Sequence, residues 1–367
     1  MRWVAITCLL CLGLTAGAAS ERDWGKWAEE VRKQHPLAGT FYVASSDIWG
    51  SDRRLYPISA KFQGFLWFPM VLGKRGGFLL FGEVHDNPVH HQLRAWLINL
   101  HAKPRREWRP GVVFEQIRAD QKVALDRFKA LAETGSGAAD DLFQLLEWDK
   151  SGWPRAQIYK PLFEVVLAAK LPIYAGDPPR GAVRAIARGG LSALPPEERA
   201  RLRLDEPMPA PLLDSLRKEL ADGHCGLLTA EAVENMAAAQ RYRDAHLADA
   251  LLSAAERYHQ AAVARGEDPF MWALIPHQPA ILVAGNGHLR KDRGVPWHLR
   301  LRAPSEVAAT FLAAATTFLL VEVVEGKTDP ELYMPRDPAG KPAADLLIFT
   351  PRAERADPCE AMRKMKR

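Results

Sequence analysis

The sequence predicts an α/β protein in which a mostly parallel sheet is flanked by helices on both faces. Short apolar runs alternate along the chain with longer stretches of helical spacing, as in strand–helix–strand units. These runs have no polar face, which is typical of strands buried on both sides of a parallel sheet. The clearest of them are residues 78–81, 111–114 and 280–284.

The N-terminus has the layout of a secretory signal peptide. Arg2 precedes an apolar stretch over residues 4–14, and small residues follow at 16–20. We expect residues 1–19 to be removed after export to the periplasm or cell envelope. The small residue that a lipoprotein signal needs before Cys11 is missing, so lipidation and a membrane tether are not favoured.

Residues 20–75 are predicted to form a lead-in with one strand-like run at 40–44. The elements of the core follow it. Asn87 and Pro88 are typical of a helix start after the first core strand, and Asp120 is placed to cap a helix ending near Ala132. The predicted core strands cover residues 78–81, 111–114, 171–174, 280–284, 318–324 and 345–349, and a further helix covers 154–170.

Residues 190–270 interrupt this alternation. They are rich in Ala, Leu, Glu and Arg with helical periodicity, and two proline clusters divide them. We predict a smaller helical insertion that covers the sheet, within an α/β domain over residues 76–367.

Composition excludes several classes of protein. Hydrophobic residues make up 48% and charged residues 25% of the 367 positions, as in ordinary globular proteins. The formal charge is only +5, and no basic run with interleaved aromatics predicts nucleic-acid binding. After signal removal Cys225 and Cys359 remain, and an oxidising compartment would permit them to pair.

Polar or ionisable residues stand at the ends of four predicted strands. In open α/β sheets the carboxyl ends of the strands line the ligand crevice. We therefore predict one shared polar site at this edge. Its residues are Glu83, His85, Glu115, Asp177, Asn286 and His288.

Two further histidines begin the helix after the first core strand. His90 and His91 are adjacent, so they point in different directions and only one is expected to face the site. No nucleophilic serine elbow, phosphate loop, dinucleotide turn or H-E-x-x-H pattern is present in the sequence. Water activated by Glu or His, with or without a metal, remains as a hydrolytic alternative.

Several pieces of the sequence resemble the ChaN-like family of haem-binding uptake proteins, within the Tiki and erythromycin-esterase-like superfamily. The resemblance runs from about residue 76 to the end of the chain. Its most specific parts are residues 82–91 and 285–296. The other parts are the strand ending in Glu115 and residues 174–180, 240–244, 349–352 and 357–359.

The resemblance implies an α/β domain of the bacterial envelope, linked to haem-iron acquisition. It also implies tyrosine ligation of haem iron, for which Tyr159 and Tyr174 are the first candidates. The other candidates for haem binding are His90, His91, His246, Asp177 and Asn286. The chain departs from the family at Asp177, where Asn is usual, and at His246-Leu247, where Met-Ala is usual.

Hydrolytic relatives in the superfamily use Glu and His at the positions matching Glu83, His85, Glu115 and His288. Three hypotheses follow. The first is an exported haem carrier that works with an outer-membrane haem receptor system. The second is an ester or amide hydrolase, with a metal set such as His85, His288 and a carboxylate in one version. The third is an envelope protein whose polar cluster is structural.

Overall fold

A computed structural model describes residues 22–44, 54–58, 77–102, 109–266, 279–302 and 314–365. Over these ranges the chain forms an eight-stranded sheet with eleven α-helices, and the predicted α/β class is confirmed. The predicted signal peptide over residues 1–19 lies outside the described residues.

The strands form one sheet in the order β2-β1-β8-β7-β3-β6-β4-β5. The six strands from β8 to β5 are parallel, whereas β1 pairs antiparallel with both β8 and β2. Their bounds are β1 Thr40–Val43, β2 Arg54–Pro57, β3 Phe78–Phe81, β4 Gly111–Arg118, β5 Ile173–Asp177, β6 Ala280–Val283, β7 Ala315–Glu322 and β8 Leu346–Thr350. The predicted lead-in thus supplies the antiparallel edge of the same sheet.

The helices pack on both faces of the sheet, as predicted. One apolar core contains residues of α1, α2 and α5, and the opposite core contains residues of α9 and α10. The helices are α1 Trp24–Arg32, α2 Pro88–Ala102, α3 Lys122–Glu133, α4 Ala139–Leu145, α5 Ala156–Ala168, α6 Arg180–Gly189, α7 Pro196–Arg201, α8 Ala210–Gly223, α9 Ala230–Ala264, α10 Val295–Arg302 and α11 Pro358–Met365.

The centre of the sheet is fully apolar. All four residues of β3 and all four of β6 are buried, and each buried Leu or Phe side chain contributes about 1.5–3 kcal/mol to folding. The register aligns Phe81 with Val283, and Val283 with Phe114. The residues that follow these three, Gly82, Ala284 and Glu115, therefore lie side by side.

The connections create a crevice at this edge. From β3 the chain crosses one face through α2 to β4, and from β6 it crosses the other face through α10 to β7. The strands β3 and β6 are neighbours, and the connections that follow them pass over opposite faces of the sheet. Their carboxyl ends therefore form a switch point, which is where α/β proteins bind ligands.

Part of the predicted insertion packs into the core on one face of the sheet. Leu247 and Leu251 of α9 pack on the sheet, whereas Tyr242 of α9 packs with Ile186 and Leu202 in a separate small core. The first half of α9 therefore extends beyond the carboxyl edge and brings charged side chains to it.

Several predicted boundaries need correction. Asp120 does not cap α3, because a 3₁₀ turn over Ala119–Gln121 precedes the helix and Asp120 instead pairs with Arg118, at 2.9 Å. Strand β5 starts two residues later than predicted and ends at Asp177, and β4 continues past Glu115 to Arg118. In contrast, α2 begins at Pro88 as predicted.

A disulfide joins Cys225, after α8, to Cys359 in α11, with a Cα–Cα distance of 5.8 Å. It closes a loop across 134 residues and ties the end of the chain to the insertion. Within the described ranges, no helix is long and apolar enough to cross a membrane.

Candidate functional site

Two polar clusters lie next to each other at the carboxyl edge. The Glu83 cluster comprises Glu83, His85, His91, Arg94, Gln116 and Tyr159. The Glu115 cluster comprises Glu115, Asp177, Arg243, Asp244 and His288. The structure therefore brings together at one edge five of the residues predicted for the site, which are Glu83, His85, Glu115, Asp177 and His288.

Glu83 is a buried carboxylate held by four side chains. Its Oε1 lies 2.6 Å from Nδ1 of His85 and accepts a hydrogen bond of 2.9 Å from Gln116. The Tyr159 hydroxyl donates to the same oxygen at 3.5 Å. Arg94 forms a fully buried ion pair with Glu83, so the carboxylate is charged and Nδ1 of His85 is the donor to it.

His91 supports this cluster from behind. Its Nε2 donates to the carbonyl oxygen of His85 at 2.9 Å, and its Nδ1 accepts from Arg94 at 2.6 Å. Burial lowers the pKa of His91 to about 3 and that of Arg94 to about 9. His91 is therefore neutral, with both ring nitrogens engaged.

His90 faces away from the site. Its Nδ1 accepts from the Val84 N–H at 2.8 Å, and its Nε2 lies 2.7 Å from Oγ1 of Thr350 at the end of β8. Burial lowers the pKa of His90 to about 3. Its role is to join the loop after β3 to β8, as expected for the neighbour of a site-facing histidine.

His85 is the exposed member of the Glu83 cluster. Its side chain is 41% exposed, and the Trp153 ring packs edge-on against it at 4.9 Å. Partial burial lowers the pKa of His85, which favours the neutral imidazole. Since Nδ1 donates to Glu83, the lone pair is on Nε2, and no described residue forms a hydrogen bond with that atom.

Gly285 joins the two clusters. Its N–H donates to Oε2 of Glu115 at 2.7 Å. A Cβ at this position would lie 2.8 Å from Cε1 and 3.1 Å from Nε2 of His85. Glycine is therefore required for the Cε1–Nε2 edge of the His85 ring to approach the backbone after β6 this closely.

Glu115 is held by three donors. Besides Gly285, Arg243 donates to Oε1 at 2.7 Å and His288 Nε2 donates to the same oxygen at 3.1 Å. Burial alone would raise the pKa of Glu115, but His288 and Arg243 together hold it well below its usual value. These contacts favour the ionised form of Glu115.

His288 is a buried imidazolium. Its second nitrogen, Nδ1, lies 2.6 Å from Oδ1 of Asp244, so both ring nitrogens donate to carboxylates. Burial alone would lower its pKa, but Glu115 and Asp244 raise the pKa of His288 to about 10. Asp177 completes the cluster by accepting from Nε of Arg243 at 2.7 Å, and burial raises the pKa of Asp177.

In this arrangement both ring nitrogens of His288 face carboxylates, so coordination of a metal by His288 would require one of these two hydrogen bonds to be given up. Over the part of the chain that the structure describes, no group of three or more His, Cys, Asp or Glu side chains is arranged to hold a metal ion.

Besides His90, three residues predicted for the site lie outside the two clusters. Tyr174 packs over Gly111 at the start of β4, because β5 extends three residues beyond it. Asn286 turns towards β7 and donates to the Leu320 carbonyl at 2.7 Å. His246 lies beside β5, with Nδ1 2.9 Å from the carbonyl of Gly176.

Sequence reasoning missed four residues of the site. Arg94 follows His91 by three positions on α2, a spacing that places both on one helix face. Gln116 follows Glu115 and points to the opposite face of β4. Arg243 and Asp244 belong to a family-like piece of the sequence, but nothing local showed that α9 reaches the strand ends.

Comparisons with known proteins identify the family and the fold. A family model described as haem-binding uptake, Tiki superfamily, ChaN matches residues 74–299, more than half of the 367 residues. The structure showing cofacial haem binding to ChaN of Campylobacter jejuni has a TM-score of 0.54 at 18% identity, covering 84% of this chain and 96% of that one. This likeness shows the fold.

Two other solved structures are similar at a lower level. A mutant of the erythromycin esterase EreC in its open conformation has a TM-score of 0.34 at 12% identity, covering 87% of this chain and 99% of that one. The type III effector HopBA1 has a TM-score of 0.30 at 12% identity, covering 76% and 88%. No curated protein sequence matches the chain. From the family match, supported by the fold, the chain belongs to the ChaN family of haem-binding uptake proteins in the Tiki superfamily.

Proposed function

We propose that this protein binds haem at the carboxyl edge of its sheet and acts in bacterial haem-iron uptake as an exported carrier. The observation that carries the proposal is an accessible, neutral imidazole at the crevice, that of His85. Imidazole is a common ligand of haem iron. Membership of a haem-binding family and the cofacial haem of the Campylobacter jejuni protein support the same conclusion.

The surroundings of His85 also suit a porphyrin. The Trp153 ring and the Gly285 backbone, which has no side chain, lie beside the imidazole.

Export is supported by two independent features. The predicted signal peptide is one, and the Cys225–Cys359 disulfide is the other, because such bonds persist in oxidising compartments such as the periplasm. An outer-membrane haem receptor system is then the natural source of the haem that this protein would carry.

A haemin titration of the protein lacking residues 1–19, followed by absorbance, tests the proposal. We expect a saturable Soret shift with a defined stoichiometry. His224→Ala is a suitable control, because His224 lies just after α8 outside both clusters and should leave the titration unchanged. Absence of a saturable shift in the unsubstituted protein would overturn haem binding.

Hydrolysis is the second candidate, and the same Glu83–His85 pair favours it. A neutral histidine oriented by a carboxylate is the usual arrangement of a general base. Screening ester and amide substrates with the unsubstituted protein and with Glu115→Gln separates the two functions. A hydrolase should lose activity in this variant, whereas a haem carrier should keep most of its affinity.

A further inference from the structure

The chain that follows β8 runs along the carboxyl edge of the sheet. We call residues 351–359 the C-terminal strap. It passes the end of β7, where the Ala353 N–H donates to Oε1 of Glu322 at 3.0 Å. The Asn87 side chain donates to the Pro351 carbonyl at 3.1 Å, which joins the strap to the loop between β3 and α2. The strap therefore follows the carboxyl ends of three neighbouring strands, β8, β7 and β3.

Arg355 fastens the first half of the strap. Its guanidinium donates to both carboxylate oxygens of Glu322, at 2.5 and 2.7 Å, and to Oδ2 of Asp86 at 2.7 Å. Two-pronged bonds of this kind between arginine and a carboxylate are strong and fix the geometry. Asp86 directly follows His85, so this half of the strap is held beside the partly exposed imidazole of the site.

The second half of the strap is fastened by the disulfide. Within the described ranges, no hydrogen bond or ion pair joins residues 356–360 to an element other than the strap and α11. The bond from Cys359 leads to Cys225, just after α8. In α8, Oε1 of Glu219 lies 3.7 Å from the position of a Cβ at Gly287, in the turn after β6. The disulfide thus ties the strap to the part of the insertion that lies over this turn.

His85 lies between the two places that the strap connects. It precedes Asp86 on one side, and a Cβ at Gly285, in the turn under α8, would lie 2.8 Å from its ring on the other. Four residues of extended chain reach at most about 14 Å. With Arg355 fixed, the disulfide at Cys359 therefore holds the end of α8 within a short reach of the loop after β3.

We propose that the disulfide is a redox latch of this site. While it is intact, the strap bridges the rim of the crevice, and its reduction releases the second half of the strap and opens the approach to His85. Arg355 keeps the first half in place in both states. As a control on haem exchange the inference rests on the proposed function, whereas the opening itself concerns only access to His85.

The reductant in this step is a dithiol. Its two thiols give two electrons and two protons to the bond between Cys225 and Cys359, which become free thiols while the reductant becomes a disulfide. Both cysteines are half-buried, and the neighbouring Gly226 and Pro358 are exposed, so the bond is open to attack by a thiolate. In an oxidising compartment the latch stays closed until such a dithiol meets it.

Labelling of histidines with diethyl pyrocarbonate, read by mass spectrometry, tests the opening on the protein without its predicted signal peptide. The reagent modifies accessible, neutral imidazoles, so its rate at His85 measures access to the crevice. We expect this rate to rise severalfold when Cys225 and Cys359 are both replaced by Ser, and when dithiothreitol reduces the unsubstituted protein. Dithiothreitol should leave the rate in the double variant unchanged. Glu360→Gln, an exposed change next to the latch, is the matched control and should label like the unsubstituted protein.

His90 and His91 are internal references, because both rings are buried and should label slowly as long as the protein is folded. An unchanged rate at His85 after loss of the disulfide would show that the strap does not control access, and the inference would be wrong. A rise that His90 and His91 share equally would mean general unfolding, which also overturns it.

Transfer of bound haemin to apomyoglobin separates the latch from the proposed function. The double Ser variant should release haemin severalfold faster than the unsubstituted protein, and equal rates would mean that the latch does not regulate haem exchange. If neither protein binds haemin, the proposed function is wrong, while the labelling of His85 still decides whether the latch opens the site.

Discussion

His288 and Glu115 form a buried ion pair within the Glu115 cluster, with Nε2 and Oε1 3.1 Å apart. The pair joins the turn after β6 to the middle of β4, and Asp244 of α9 holds the other side of the imidazolium. A buried charge that loses one of its partners is strongly destabilising. The ion pairs of the Glu115 cluster therefore hold α9 in place against the ends of the strands.

The first prediction concerns Asp244. Replacing it with Asn removes one partner of the buried His288 imidazolium, and breaking a buried pair in this way typically costs about 3–5 kcal/mol. Urea unfolding followed by circular dichroism measures the change. The control is Asp222→Asn, whose partner Lys218 is exposed and should matter little. Equal stabilities of the two variants would show that the cluster does not hold the fold.

The second prediction concerns alkaline pH. The pKa of His288 is raised to about 10 in the folded protein, against an ordinary value of 6.5. Its contribution to stability is therefore complete below pH 6.5 and is lost as pH rises from there to about 10. Unfolding free energies measured across this window should decline, and more steeply than those of His288→Gln. Parallel slopes for the two proteins would contradict a charged His288.

The sequence was sufficient to predict a polar site at the carboxyl edge of the sheet, but not all the residues of that site. Glu83, Glu115 and His288 were found because each lies at or beyond an apolar run, where a parallel sheet brings strand ends together. Arg243 and Asp244 come from a helix whose packing depends on distant contacts, so local pattern could not place them. Strand β2 was missed because four half-polar residues give no distinct strand signal.

The misplacement of Tyr174 has a similar origin. The apolar run at residues 171–174 predicted a strand that ends at this tyrosine. The strand instead starts at Ile173 and ends at Asp177, where Gly176 permits close packing against Phe114 and Leu247. A shift of three residues at the end of the strand places Tyr174 at a half-buried position within the edge strand β5, rather than at its carboxyl end.

The third prediction concerns the disulfide. Replacing Cys225 and Cys359 together with Ser opens a loop of 134 residues and should cost about 2–5 kcal/mol, chiefly because the unfolded chain gains freedom. Thermal unfolding of the variant, and of the unsubstituted protein with and without reductant, measures this. Reductant should lower the midpoint of the unsubstituted protein only. A midpoint insensitive to reductant would mean that the cysteines do not pair.

The last prediction uses two glycines of one turn. A Cβ at Gly285 would lie 2.8 Å from the His85 ring, whereas a Cβ at Gly287 would meet only Oε1 of Glu219, at an ordinary 3.7 Å. The backbone of Gly285 has φ −64°, which alanine adopts without strain, so Gly285→Ala acts through the His85 ring rather than through the turn. Haemin affinity should therefore fall in Gly285→Ala and stay near that of the unsubstituted protein in Gly287→Ala. If the two variants bind haemin with the same affinity, haemin does not bind in the space beside His85, and the prediction is wrong.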